Sequence, residues 1–216
     1  MDLPALIALG FELCGFYAFV NGELVPCTPL TTVARLSSFL TKMAGSHGTL
    51  RARKALRFIA EKSASPMETT LVMLLCLPYR MGGYGLDFPS LNHRIDVSKK
   101  VLHSASDFYV CDLLWPSAKF ALEYDSDAFH TGSDRINKDS IRRSDLHLAG
   151  IIVVSVTRQQ VKSYTELEKL AHLVAEALGK RLCYKQPQFS QACFALRKAL
   201  FDFHQNETQA IDSYIS

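Results

Sequence analysis

Residues 111–130, CDLLWPSAKFALEYDSDAFH, decide the fold. Asp112 lies in FYVCDLLW, residues 108–115, an apolar and aromatic run with strand composition. Pro116-Ser117 supplies a turn, and KFALEYD, residues 119–125, reads as a second strand running back along the first. Side chains alternate across a strand, so Ala121, Glu123 and Asp125 share one face while Phe120, Leu122 and Tyr124 share the other. Three acids, Asp112, Glu123 and Asp125, therefore gather at the ends of two adjacent strands. Mg²⁺ takes hard oxygen ligands and keeps several of its waters, so such a group of carboxylates suits a divalent ion.

Outward from this segment the chain alternates helix and strand signals. Upstream, Ser65-Pro66-Met67-Glu68 opens a helix with Ser as N-cap, Pro at the first helical position and Glu at the third, and Pro78 closes it. A glycine-rich stretch, Met81 to Pro89, leads to NHRIDVS, a Lys99-Lys100 turn and the strand ending at Trp115, the start of a meander. Downstream, Ser133 to Ala149 has helical character with Gly150 as a stop, and Ile151 to Val156 is a continuous β-branched run, expected to be a strand covered on both faces. The order is α-β-β-β-α-β in an α/β fold. Before it, FYAFV and ELVPC flank Asn21-Gly22, a hairpin signal, and two helical patterns, Thr31–Met43 and Thr49–Lys62, flank Gly45-Ser46-His47-Gly48. Tyr164 to Leu182 and Phe189 to Phe203 read as helices packed outside the core. The expected division is an N-terminal hairpin and basic helical extension over 1–62, a central domain over 63–182, and a C-terminal helix and tail over 183–216.

Composition is that of a globular chain: 216 residues, 48% hydrophobic and 21% charged. The longest apolar run, Leu71 to Leu77, is too short to span a bilayer, and Asp2 and Glu12 precede the first basic residue, Arg35, the wrong order for a secretory signal. A cytoplasmic protein with no membrane partner is expected. Six scattered cysteines indicate neither a zinc knuckle nor a disulfide framework. The net charge of +3 announces no partner by itself, but residues 29–62 hold seven basic side chains against one acid. Within that segment Arg51, Arg53, Lys54 and Arg57 are candidate phosphate contacts, with a solvated helix face as the competing reading.

The ordered set Asp112-Leu113-Leu114-Trp115-Pro116, Glu123-Tyr124-Asp125, His130, Asp139, Arg142, Leu146, Gly150 and Arg158 resembles the PD-(D/E)xK nucleases, most closely the branch similar to very-short-patch-repair endonucleases. Ser65-Pro66-Met67-Glu68 is similar to that branch's helix start, and the resemblance covers roughly residues 65 to 162. Ser126 and Phe129 depart from the pattern, which has Gly and His there, and Asp125 stands where the wider superfamily has Lys. The resemblance implies a restriction-endonuclease-like core and a Mg²⁺-dependent endonuclease, with Mn²⁺ as a substitute, hydrolysing phosphodiester bonds, most naturally in DNA. The hairpin and helical extension ahead of such a core also resemble abortive-infection and toxin–antitoxin-associated proteins, which implies a phage-defence or repair setting and leaves room for a protein partner.

Phosphodiester hydrolysis requires an activated water, an in-line approach, and neutralisation of the charge that grows on phosphate and leaving oxygen. Asp112 and Glu123 are the first-choice metal ligands, and Asp125 is expected to bind the metal or orient a water. Glu68 either closes its own helix cap or, as the resemblance implies, helps at the metal site. His130 either polarises a water or contacts the phosphate as in the resembling branch, or is an exposed loop residue. Arg142 lies three residues from Asp139 on the expected helix, where a salt bridge is the default, yet its guanidinium also fits phosphate oxygens. Two rivals stand beside the enzyme: a nuclease-fold module that binds nucleic acid or a partner protein without cleaving, and a structural protein whose carboxylates pair with Arg142, Arg143 or Arg158.

Overall fold

The computed structural model describes residues 1–20, 23–97, 106–125, 133–184 and 188–215, and side chains throughout these ranges except at 133–136, 138 and 203–215. The chain divides into two compact units, one formed by 1–87 with 183–216 and the other by 88–182. Both contain helices and strands, so the fold is mixed α and β, with eight α-helices, one two-stranded hairpin and one four-stranded sheet among the described residues.

The second unit carries the sheet. Strands β3 (Ser90–Asp96), β4 (Phe108–Trp115), β5 (Phe120–Asp125) and β6 (Ile152–Thr157) lie side by side in sequence order. The first three are antiparallel neighbours, and β6 runs parallel to β5 after a crossover through helix α5 (Ser133–Leu148). Parallel neighbours need such a crossover, whereas antiparallel ones need only a turn. Between β4 and β5 that turn is a 3-10 segment, Pro116–Ala118, closed by Lys119 at φ 51°. Helix α5 ends at Leu148, and Gly150, at φ 79°, turns the chain so that Ile151 N–H reaches the Leu146 carbonyl. A left-handed residue after the last turn is the usual device for ending a helix, and glycine adopts it without a Cβ clash. Cys111, Leu114, Ala121, Leu146 and Ile151 form the buried cluster that joins α5 to the sheet.

The β-branched run at 151–156 forms β6 as expected, but its coverage differs. Its residues are mostly half-buried, Ile152 is exposed, and β6 is the last strand of the sheet. A run of Ile and Val satisfies an edge strand as well as a central one, because strand propensity reports packing on a pleated surface rather than position in the sheet. On the face away from α5, Val154 and Val156 line a groove with Leu170 and Leu173 of α7 (Tyr164–Ala177), which follows the short helix α6 (Arg158–Lys162).

The first unit starts with a helix absent from the sequence reading, α1 (Leu3–Leu13), capped by Asp2, whose carboxylate accepts from Ala5 N–H at 2.9 Å. The hairpin follows as expected, β1 (Tyr17–Val20) pairing with β2 (Glu23–Pro26) in a register that sets Val20 opposite Glu23. Helices α2 (Val33–Lys42) and α3 (Thr49–Leu56) come next. The second stops six residues short of Lys62, and the Glu61 carboxylate instead accepts from Val33 N–H at 2.7 Å, supplying a partner to an otherwise unpaired N–H in the first turn of α2. Helix α4 (Pro66–Cys76) is buried from Glu68 to Cys76, so its apolar content was needed on every side; each of its leucines contributes about 1.5–3 kcal/mol by leaving water.

Helix α8 (Phe189–Ile215) was expected outside the core but buries Phe189, Cys193, Leu196 and Leu200 in it. It packs against α1, α4 and the short 3-10 turn at Tyr79–Met81. Gly82 ends that turn at φ 90°, where a Cβ would run into the Ala192 carbonyl of α8. Tyr84 and Phe189 meet there with ring centroids 5.3 Å apart.

Candidate functional site

Asp112 and Glu123 sit where the β4–β5 ladder opens. The register pairs Trp115 with Phe120, Leu114 with Ala121 and Leu113 with Leu122, so the next step would bring Asp112 opposite Glu123. Backbone pairing stops there, and the Asp112 carboxylate accepts from Tyr124 N–H at 2.8 Å. On the other edge of β4 the pairing with β3 skips Asn92, the residue in register with Asp112, whose φ is 42°. Residues three apart on a regular strand face opposite sides, yet Cys111 and Leu114 share one buried cluster. Asp112 is thus the point at which β4 breaks its alternation.

Glu123 lies on a regular strand, since β5 pairs with β6 from Phe120–Ile152 to Asp125–Thr157 without interruption. Its residues Ala121, Glu123 and Asp125 keep one face, as the sequence alternation predicts. Helix α5 covers this face. Arg142 donates from Nη2 to Glu123 Oε1 at 2.6 Å and to the Val110 carbonyl, with its guanidinium 6.0 Å from the Tyr109 ring. Arg143 reaches Ser155 Oγ at 3.4 Å, and Tyr109 donates to the buried Asp145 carboxylate at 2.6 Å.

Charge at this position is desolvated. Burial raises the Asp112 carboxyl above its ordinary range, opposed by the Tyr124 N–H and by Arg142. Burial also raises Glu123, against the pull of Arg142 and with the push of the neighbouring Asp112 charge. The Cys111 thiol, buried beside both acids and facing Glu123 foremost, is pushed up to about 12. It is protonated at neutral pH and is a donor to Glu123.

The structure couples Asp112 and Glu123 in charge and links both to Arg142. Among the described residues, no three His, Cys, Asp or Glu side chains form a group that could hold a metal ion, so Asp125 does not complete a triad with them. Arg142 pairs with Glu123 rather than with Asp139. His130, Ser126 and Phe129 lie outside the described residues. Glu68 belongs to the other unit and is engaged in its cap: Oε1 accepts from the Ser65 hydroxyl at 3.0 Å and Oε2 from Ala64 N–H at 2.9 Å. Arg51, Arg53, Lys54 and Arg57 are exposed, with Arg51 donating to the Met1 carbonyl and Arg53 to the Leu40 carbonyl.

No protein-family model matches this chain, and no solved structure matches it. Two uncharacterised proteins of Mycobacterium tuberculosis, from strains CDC 1551/Oshkosh and ATCC 25618/H37Rv, are each 23% identical to it over 147 residues, 68% of this chain and 49% of the relative. The chain spans about half the length of the curated relatives it matches. No helix among the described residues is long and apolar enough to cross a membrane.

A hard divalent ion fits the donor chemistry of the pair. Two desolvated carboxylates repel one another and favour a shared cation, and Asp112 accepts from Tyr124 N–H while Glu123 accepts from Arg142. The sequence reading missed Cys111, Tyr109 and Asp145 as parts of the site. Only the strand and helix periodicity bears on them, since 109 and 111 alternate in step and 142 and 145 stand one turn apart.

Proposed function

We propose that this chain is a metal-dependent nuclease that hydrolyses phosphodiester bonds, acting on DNA in the cytoplasm, with residues 63–182 as a restriction-endonuclease-like domain. The reading rests on one observation: two charge-coupled, desolvated carboxylates, Asp112 and Glu123, on neighbouring strands within the order α4-β3-β4-β5-α5-β6. Burial holds them where charge is strongest, and no ordinary surface acid pays that desolvation without a cationic partner. Mg²⁺, or Mn²⁺ in its place, would be held by Asp112 and Glu123 and would supply Lewis-acid neutralisation of the phosphate. Asp125, on the Glu123 face at the strand end, orients water, and Arg142 contacts a phosphate oxygen through its planar fork. The resemblance to defence-associated and repair nucleases sets the biological context we propose.

The test is cleavage of plasmid and oligonucleotide substrates with Mg²⁺, with Mn²⁺ and with chelator, by the wild type and by Asp112→Asn. Asn keeps the shape and loses the charge, so cleavage is expected to fall by at least about a hundred-fold while DNA affinity changes little. Equal cutting by the variant would place the activity elsewhere. The Arg142–Glu123 ion pair at 2.6 Å favours a second reading, a nucleic-acid-binding or partner-binding module that no longer cleaves. A wild type that binds DNA and cuts none of these substrates with either metal would select it.

A further inference from the structure

The guanidinium of Arg142 takes the position of charge that the acids leave open. Its Nη2 lies 2.6 Å from Glu123 Oε1 and also donates to the Val110 carbonyl, and its charge acts on Asp112 and on Cys111 as well. Glu123 is 15% exposed and Arg142 30%, so water screens the pair only in part. The stem of Arg142 comes from α5, and its neighbour Arg143 is tied to β6 through Ser155, so the helix bearing the cation is anchored at a second point. A divalent ion and this guanidinium are competitors for the same carboxylate, because each is a cation seeking the Glu123 oxygens.

We infer that Arg142 is the resident counter-ion of the Asp112–Glu123 pair, and that a phosphodiester group draws it away and so opens the pair to a divalent cation. The inference rests on the nuclease reading above and adds coupling between its two ligands. A phosphate offers the guanidinium the same bidentate geometry as a carboxylate with a second negative partner close at hand. When Arg142 turns to phosphate, the acids lose their compensating charge and their affinity for a cation rises. Linkage makes the effect reciprocal: bound cation frees Arg142 and strengthens phosphate binding by the same factor. Arg142 then touches the substrate and ties metal capture to it.

The experiment measures Mn²⁺ affinity by electron paramagnetic resonance for the full chain as wild type, Arg142→Met and Arg142→Gln. Each is titrated with and without an oligothymidylate carrying phosphorothioate linkages, and Mn²⁺ bound by the oligonucleotide alone is subtracted. The wild type is expected to bind Mn²⁺ on the order of ten-fold tighter with the oligonucleotide present. Both neutral variants are expected to bind it tighter than the wild type without the oligonucleotide, and to gain nothing further from it. Methionine keeps a long side chain without the charge; should neither variant fold, the wild-type comparison still decides. Wild-type affinity indifferent to the oligonucleotide, or variants that bind Mn²⁺ no tighter, would overturn the inference. If the wild type nevertheless cuts DNA with Mg²⁺, the nuclease reading survives that result, whereas absence of Mn²⁺ binding in every protein removes both.

Discussion

At Asp112 burial works against the charge that the proposed chemistry uses. Its folded carboxyl holds a proton more tightly than an unfolded one, as does Glu123. Over the window from about pH 4 up to the raised folded value, the native state therefore binds more protons than the unfolded state, and these two groups make stability fall as pH rises. The penalty is absent below the unfolded value and complete above the folded one. Asp112→Asn removes the Asp112 share while its amide oxygen can still accept from Tyr124 N–H. The variant is expected to melt above the wild type at pH 8, with the gap closing towards pH 4, as read by circular dichroism melts. A constant gap would mean that Arg142 and the Tyr124 N–H together offset burial at Asp112, and one that widens in acid that they outweigh it.

At the scale of elements, the sequence is most legible where a local rule coincides with packing. Ser65 at the N-cap with Pro66 and Glu68 marks α4 because each residue satisfies or removes an orphan N–H, and the strands at 108–115 and 120–125 follow from apolar runs separated by Pro116. The cap itself is a variant: Glu68 reaches past Ser65 to Ala64 N–H. Ser65→Ala would remove an acceptor for Glu68 N–H and a donor to a carboxylate only 6% exposed, so unfolding by urea should show a loss of about 1–2 kcal/mol, recovered by Ser65→Thr. Tertiary contacts were less legible. Asp2 and Pro4 announce α1 only weakly beside a run that also suits a strand, Glu61 lies beyond α3 and accepts from the start of α2, and the exposure of β6 depends on its place in the sheet. For the site, the acids were readable from strand alternation and Arg142 stood among three arginines that could pair with them, but the choice of Glu123 over Asp139 was not legible, because a helix period favours partners three and four residues away over one nineteen residues away.

At the scale of the whole molecule, the chain leaves its first unit after Asp87 and returns to it at Cys183, a division that no reading made in linear order can reveal. The return matters because α8 supplies Phe189, Cys193, Leu196 and Leu200 to a core begun by α1 and α4. The same unit carries the basic segment, and this is where charge rather than packing predicts behaviour. Arg51, Arg53, Lys54 and Arg57 all remain exposed on or beside α3, and the two that donate to backbone carbonyls keep their positive charge in reach of solvent. A phosphate contact made by such a side chain releases a condensed counterion, so each contributes close to one unit to the slope of log affinity against log salt. Replacing all four by Gln should then flatten that slope by about 3.6 for duplex DNA between roughly 50 and 200 mM salt, with little change in melting temperature. A DNA affinity that keeps its salt slope through the fourfold replacement would return this helix to an ordinary solvated face and move the phosphate contacts to the sheet unit, where Arg142 and Arg143 are the first to replace.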